Sequence, residues 1–172
     1  MVGGELCTNT LWCETYTDRT IISDNSGVTF VEKAPIPVLL KGHCAVFLND
    51  STIMVIGGYR YPISYANTYF FDLVGNSWEE GPPLTVARSY HTCNLITDCD
   101  GNQQVVVVGG VGNGGITSYE KSVEIYDVTS EAWSSGNDYP IAVYEHGSAD
   151  YSDSFVVVGG YSSSGSINSI YL

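Results

Sequence analysis

Val105-Val106-Val107-Val108-Gly109-Gly110 is a run of β-branched residues closed by two glycines, and its counterparts organise the chain. Ile53-Met54-Val55-Ile56 precedes Gly57-Gly58, and Phe155-Val156-Val157-Val158 precedes Gly159-Gly160. With Gly3-Gly4 included, successive doublets are 54, 52 and 50 residues apart. Self-similarity at such a period outranks any local reading. A short apolar run rich in branched side chains and ended by glycine suits a strand buried on both faces.

Two further registers run alongside. Asp24, Asp72 and Asp127 each stand six residues before a large aromatic, Phe30, Trp78 and Trp133. Strand-like stretches lead into each Asp, and polar turns such as Val74-Gly75-Asn76-Ser77 and Val128-Thr129-Ser130-Glu131 follow, which is a hairpin signal. The step from Phe30 to His43, Trp78 to His91 and Trp133 to His146 is 13 residues each time. Each unit therefore reads as four strands: a from the His, b ending at Gly-Gly, c ending at the Asp, and d carrying the aromatic.

These residues resemble the kelch repeat, whose pattern is a Gly pair, an aromatic near an Asp, a Trp six positions on, then Pro and Arg-x-x-His. Pro82-Pro83 and Arg88-Ser89-Tyr90-His91 fit best. The departures are Phe30 in place of Trp, and Leu40 and Val143 at the Arg position. The resemblance covers nearly the whole chain and implies an all-β fold of four-stranded antiparallel propeller blades. On this reading residues 1–30 supply strands c and d, 43–78 and 91–133 are complete blades, and 146–172 supply strands a to c. That is a little over three blades, whereas propellers close with about 4 to 8. The expectation is an incomplete ring, either a piece of a longer propeller or an arc that two copies complete, with self-association through blade edges.

Composition narrows the function. The 19 acidic residues against 6 Lys and Arg give a net charge of -13, which disfavours nucleic acid and anionic membranes as partners. No apolar stretch approaches the roughly 20 residues of a spanning helix. Met1-Val2-Gly3-Gly4-Glu5 lacks a basic segment followed by an apolar one, so no secretory signal is expected there.

The d-to-a connection is constant, but the distance from Gly-Gly to the end of strand c is 20, 14 and 17 residues. Length tolerance marks loops free for recognition. In a propeller the b–c and d–a connections emerge on one face, which in kelch proteins similar to this chain commonly holds the partner. The b–c loops are rich in Tyr, Ser, Gly and Asn, the composition of antibody paratopes. Tyr59, Arg60, Tyr61, Tyr65, Arg88, Tyr90, Tyr119, Tyr144 and Tyr161 are the candidate contacts for a protein or peptide, Arg and Tyr being the usual hot-spot residues. Arg88 also occupies a repeat position with a structural reading.

Other constellations carry less. His43, His91 and His146 are equivalent positions of successive units, which predicts separate structural sites rather than a metal triad. Asp98-Cys99-Asp100-Gly101-Asn102 begins like a calcium loop but continues with Gln103 and reaches Gly109 where Glu is required. Neither G-x-S-x-G nor H-E-x-x-H occurs. Neither catalysis, a metal nor another cofactor is therefore expected. The competing reading is a fragment of a kelch-bearing enzyme acting on a carbohydrate, like galactose oxidase or a sugar-acid mutarotase. Cys7–Cys13 and Cys93–Cys99 are equally spaced candidate disulfides, while Cys44 and Cys93, close behind their histidines, also read as small core residues. Asn49-Asp50-Ser51 is a glycosylation sequon in an expected turn.

Overall fold

The computed structural model describes residues 2–6, 15–23, 29–113, 118–151, 153–168 and 170–171. Cys7, Cys13, Asp24, Leu172 and residues 114–117 of one b–c loop lie outside them.

Every regular element among the described residues is a strand. The first unit is β1 (Val2–Leu6), β2 (Thr15–Ser23) and β3 (Phe30–Lys33) in one antiparallel sheet. The second contains β4 (Cys44–Asn49), β5 (Thr52–Ile56), β8 (Thr68–Asp72) and β9 (Ser77–Gly81) in that order. A small hairpin, β6 (Tyr59–Arg60) with β7 (Ile63–Ser64), rises between its strands b and c. The third is β10 (Thr92–Thr97), β11 (Gln103–Val108), β12 (Val123–Asp127) and β13 (Ala132–Ser135). The fourth joins β14 (Gly147–Tyr151), β15 (Ser154–Val158) and β18 (Ile170–Tyr171), with a hairpin of β16 (Tyr161–Ser162) and β17 (Gly165–Ser166) between the last two.

Strand a begins one residue after His43, His91 and His146, and strand c ends at Asp72 and Asp127. The first unit differs from the sequence expectation. β1 runs through Gly3-Gly4 and pairs with β2, so that doublet lies inside a strand, and a third strand joins c and d there.

The apolar runs of β5 and β11 are buried on both faces because the second and third blades each stand between two others. Ile53 and Val55 pack with Ile36, Leu40 and Phe71 toward the first unit, while Met54 and Ile56 pack with Val105, Val107 and Tyr126 of the third. Alternation along a strand sends successive side chains to opposite neighbours. β15 has a neighbour on one side only, and Val158 there is 44% exposed. Phe30 of the first unit is likewise 70% exposed, whereas its counterparts Trp78 and Trp133 are half-buried between blades. Trp78 Nε1 donates to Ala34 O at 2.8 Å and Trp133 Nε1 to Pro82 O at 2.9 Å, the same bond one blade apart.

The Gly57-Gly58 and Gly109-Gly110 doublets fasten their blades to the next. Gly58 N donates to Arg88 O at 2.9 Å and Gly110 N to Val143 O at 2.7 Å, with φ of 116° and 102°. A Cβ on Gly110 would stand 2.7 Å from Ser89 O and 3.0 Å from His91 Cβ, so conformation and close approach both require glycine.

The disulfide expectation is corrected. Cys93 is bonded to Cys44, with Cα atoms 5.9 Å apart, and Cys99 is free and exposed. Cys93 lies near the start of β10 and Cys99 in the turn beyond its end at Thr97, so roughly 13 Å of extended strand holds the two apart, more than a bridge can span. The a strands of adjacent blades run side by side, which brings Cys44 to Cys93 and makes both more than small core residues.

Candidate functional site

The b–c and d–a connections meet residue for residue. Isolated bridges pair Lys41 with Tyr59, Ser89 with Val111, and Tyr144 with Tyr161. Each couples the residue two before a repeat His to the residue after a Gly-Gly doublet. The residue just before the His takes positive φ in all three blades: Gly42 at 63°, Tyr90 at 56° and Glu145 at 51°. Tyr90 N donates to Gly42 O at 2.6 Å and Glu145 N to Tyr90 O at 2.9 Å, so a backbone chain runs from blade to blade. Gly42 leaves room for the Tyr90 ring, which would lie 3.0 Å from a Cβ there.

This stepped arrangement surrounds a cavity of about 450 Å³ lined by Tyr59, Tyr61, Pro62, Tyr90, Tyr144 and Glu145, with Ser64 and Ser89 among the polar groups. Its floor is fixed by a small network. Ser64 and Ser89 share a hydroxyl–hydroxyl bond at 3.0 Å, Ser64 Oγ donates to Val111 O at 2.9 Å, and Ser64 N donates to Asn113 Oδ1 at 2.7 Å. Tyr61 follows with its N–H on the Tyr16 hydroxyl at 3.0 Å and its peptide to Pro62 cis. Tyr61 is 68% exposed, so its ring is presented rather than packed.

Four of the nine candidate residues, Tyr59, Tyr61, Tyr90 and Tyr144, line this cavity directly. Two more join through ring contacts: Tyr119 stacks on Tyr144 at 4.7 Å with planes 10° apart, and Tyr161 lies 5.7 Å from Tyr144 on another side. Burial among these rings, together with a hydrogen bond to Tyr119, raises the Tyr144 phenol above its ordinary value. Arg60 is exposed on β6 but does not line the cavity. Tyr65 contributes backbone, donating to Gly58 O and accepting from Arg88 N, and its side chain also lies outside the lining.

Arg88 is corrected outright as a contact residue. It is fully buried, with Nη1 donating to Gly109 O and Ser122 O at 2.9 and 2.8 Å and Nη2 to Ser122 Oγ and Glu124 Oε1, both at 2.8 Å. A guanidinium whose fork is consumed by one blade cannot meet a partner. Glu145, Ser64 and Ser89 were missed by sequence reasoning. Glu145 was within reach of it, since it holds the same register position as Tyr90.

His91 and His146 are buried against the preceding blade: a Cβ on Gly57 would approach His91 Cε1, and one on Gly109 would approach His146 Cε1. Burial lowers the His91 imidazole to about 3, helped by the Arg88 charge, and lowers His146 to about 4. His146 Nε2 shares a 2.8 Å bond with Thr92 Oγ1 of the blade before it.

Comparison with known proteins agrees with the kelch-type blades. The Kelch motif matches residues 101–138, which hold β11, β12 and β13 of the third blade. An F-box/kelch-repeat protein of Arabidopsis thaliana is 33% identical over 93 residues, covering 53% of this chain and 18% of that protein. Kelch-like protein 40a of Danio rerio is 31% identical over 129 residues, 70% of this chain and 20% of that protein. Galactose oxidase of Gibberella zeae is 34% identical over 68 residues, 40% of this chain and 9% of that protein. The chain therefore spans a minor part of the length of the curated relatives it matches. Its repeats and blades define the class, an all-β kelch-repeat propeller chain, and the chain belongs to the kelch-repeat family.

Proposed function

We propose that this chain is a non-catalytic interaction module that captures a protein or peptide segment in the tyrosine-lined mouth where the b–c and d–a connections of three blades meet. The observation that carries this reading is the convergence of Tyr59, Tyr61, Tyr90 and Tyr144 on one open cavity. Rigid aromatic rings on a scaffold of interblade hydrogen bonds give contact area at low entropic cost. Similarity to Kelch-like and F-box/kelch-repeat proteins supports the same reading. Similarity to galactose oxidase covers less of the chain and supports the alternative of a carbohydrate-acting enzyme.

The test is selection of linear peptides from a displayed library on the intact chain, followed by titration against Tyr61→Ala and Tyr144→Ala. Enriched peptides should lose at least about tenfold in affinity with either variant, a hot-spot-sized effect, while the unfolding midpoint stays put. Affinities indifferent to both substitutions would sink the mouth as the site. Copper uptake with oxidation of galactose by the chain would favour the enzyme.

A further inference from the structure

We propose that the mouth is selective for cationic segments, taking the Lys or Arg side chain of a peptide against its tyrosine faces with Glu145 as the counter-charge. This rests on the peptide-binding reading above and adds the chemistry of the ligand. Among the described lining residues Glu145 is the one carboxylate, and no Lys, Arg or His lines the cavity. The remaining lining is mainly four tyrosines, whose ring faces carry negative quadrupole potential and attract ammonium and guanidinium groups.

The same face already holds such a contact from within the chain. Lys41 Nζ stands 5.7 Å from the centre of the Tyr16 ring and 6.0 Å from that of Tyr59. Tyr59 therefore accepts an ammonium on one side while it lines the cavity. Arg60, between Tyr59 and Tyr61 on β6, lies outside the lining, as strand alternation requires.

Glu145 is fixed for this role. Its backbone is locked by positive φ and by the bond from its N–H to Tyr90 O, while the residue itself is exposed. The carboxylate is thus presented beside Tyr90 and Tyr144 without an ion-pair partner among the described residues. At long range the net charge of -13 steers cations toward the protein and repels acidic segments. An acidic peptide would bring like charge to Glu145 with no lining cation to receive it.

The experiment is fluorescence anisotropy of labelled tetra-arginine and tetra-citrulline peptides with the intact chain, at low and physiological salt. Citrulline keeps the shape and hydrogen bonding of arginine without its charge. Tetra-arginine should bind more tightly, and Glu145→Gln and Tyr61→Leu should each weaken it by about tenfold or more. Glu79→Gln, an exposed carboxylate on the groove between the outer strands, should leave it unchanged. Equal weakening by Glu79→Gln and Glu145→Gln would mean diffuse attraction to an acidic surface and would overturn the proposal. If library-selected peptides bind through Tyr61 and Tyr144 but are neutral or acidic, the mouth stands and its cationic selectivity falls. If neither peptide set responds to any mouth variant, the peptide-binding reading falls with it.

Discussion

Arg88 Nη2 donates to Glu124 Oε1 at 2.8 Å with both side chains shut off from solvent, tying the d–a connection of the second blade to strand c of the third. The other carboxylate bonds go to the backbone, with Thr85 N on Oε2 at 2.6 Å and Val86 N on Oε1 at 3.1 Å. In register with Arg88, Glu124 and Thr85, the preceding blade has Leu40, Tyr69 and Pro37. Leu40 and Tyr69 share one apolar cluster, and Pro37 has no N–H to satisfy. Val143 is likewise accompanied by Pro140. One interblade position is therefore solved in two ways, by an ion pair that serves an N–H, or by apolar packing with a proline that lacks one.

That alternation makes a prediction about coupling. Arg88→Leu alone strands the buried Glu124 and should cost about 3–5 kcal/mol, as breaking a buried pair does. The triple change Thr85→Pro, Arg88→Leu, Glu124→Tyr transplants the neighbouring blade's solution and should recover most of the loss. Urea unfolding of both variants decides it. A triple variant no more stable than Arg88→Leu would show that the two solutions are not interchangeable.

The strand-d tryptophans should separate into packing and hydrogen bonding. Trp78→Ala or Trp133→Ala should cost about 3–5 kcal/mol, as truncating a large packed aromatic does. Trp133→Phe retains most of the ring contact with Tyr126, 5.2 Å away, and loses the bond to Pro82 O. It should cost nearer 1 kcal/mol, the net worth of one hydrogen bond plus the smaller ring. Equal losses in thermal unfolding for Phe and Ala would place the whole contribution in the N–H.

The strand plan was legible because it rests on periodic features: apolar runs closed by Gly-Gly, an Asp that ends strand c, and a constant step to the His. The mouth was partly legible for the same reason, since the repeat register places the b–c and d–a connections on one face, and Tyr59, Tyr61, Tyr90 and Tyr144 of those connections line it. What escaped depends on neighbours remote in sequence. Whether Arg88 faces solvent or Glu124 depends on a partner 36 positions along the chain. Cys44 meets Cys93 only because two a strands lie side by side. Local spacing favoured Cys93–Cys99, a pair that the extended strand holds apart. β1 was missed because the sequence around Gly3-Gly4 lacks the apolar run of the other units.

The Cys44–Cys93 bond joins two blades across 49 residues and should add about 2–4 kcal/mol, much of it through the unfolded chain. Cys44→Ser/Cys93→Ser should lower the urea midpoint accordingly. A maleimide should label exposed Cys99 before reduction, and Cys44 and Cys93 only after reduction and unfolding. Peptide mapping without reductant checks the pairing. Prompt labelling of Cys93 in the oxidised protein would contradict it.

Acid should weaken the fold before the carboxylates titrate. His91 and His146 are depressed to about 3 and about 4 by burial, so the unfolded chain binds their protons first as pH falls. Neutral imidazoles thus contribute stability that is fully present above the ordinary histidine value near 6.5 and is lost as pH falls from there toward 4 and then 3. Linkage gives a loss of about 2 kcal/mol for each such imidazole by pH 5. Asp98, held low by Asn102, and Asp127, held low by Ser130, lose their contributions only below about pH 4, in a separate window. Urea midpoints should therefore fall between pH 6.5 and 5, and His91→Gln should flatten that part of the profile even where it lowers stability at pH 7. A midpoint constant down to pH 5 in the native sequence would mean that the histidines are solvated, and that the blade seam at Gly57 and Gly109 is open to water.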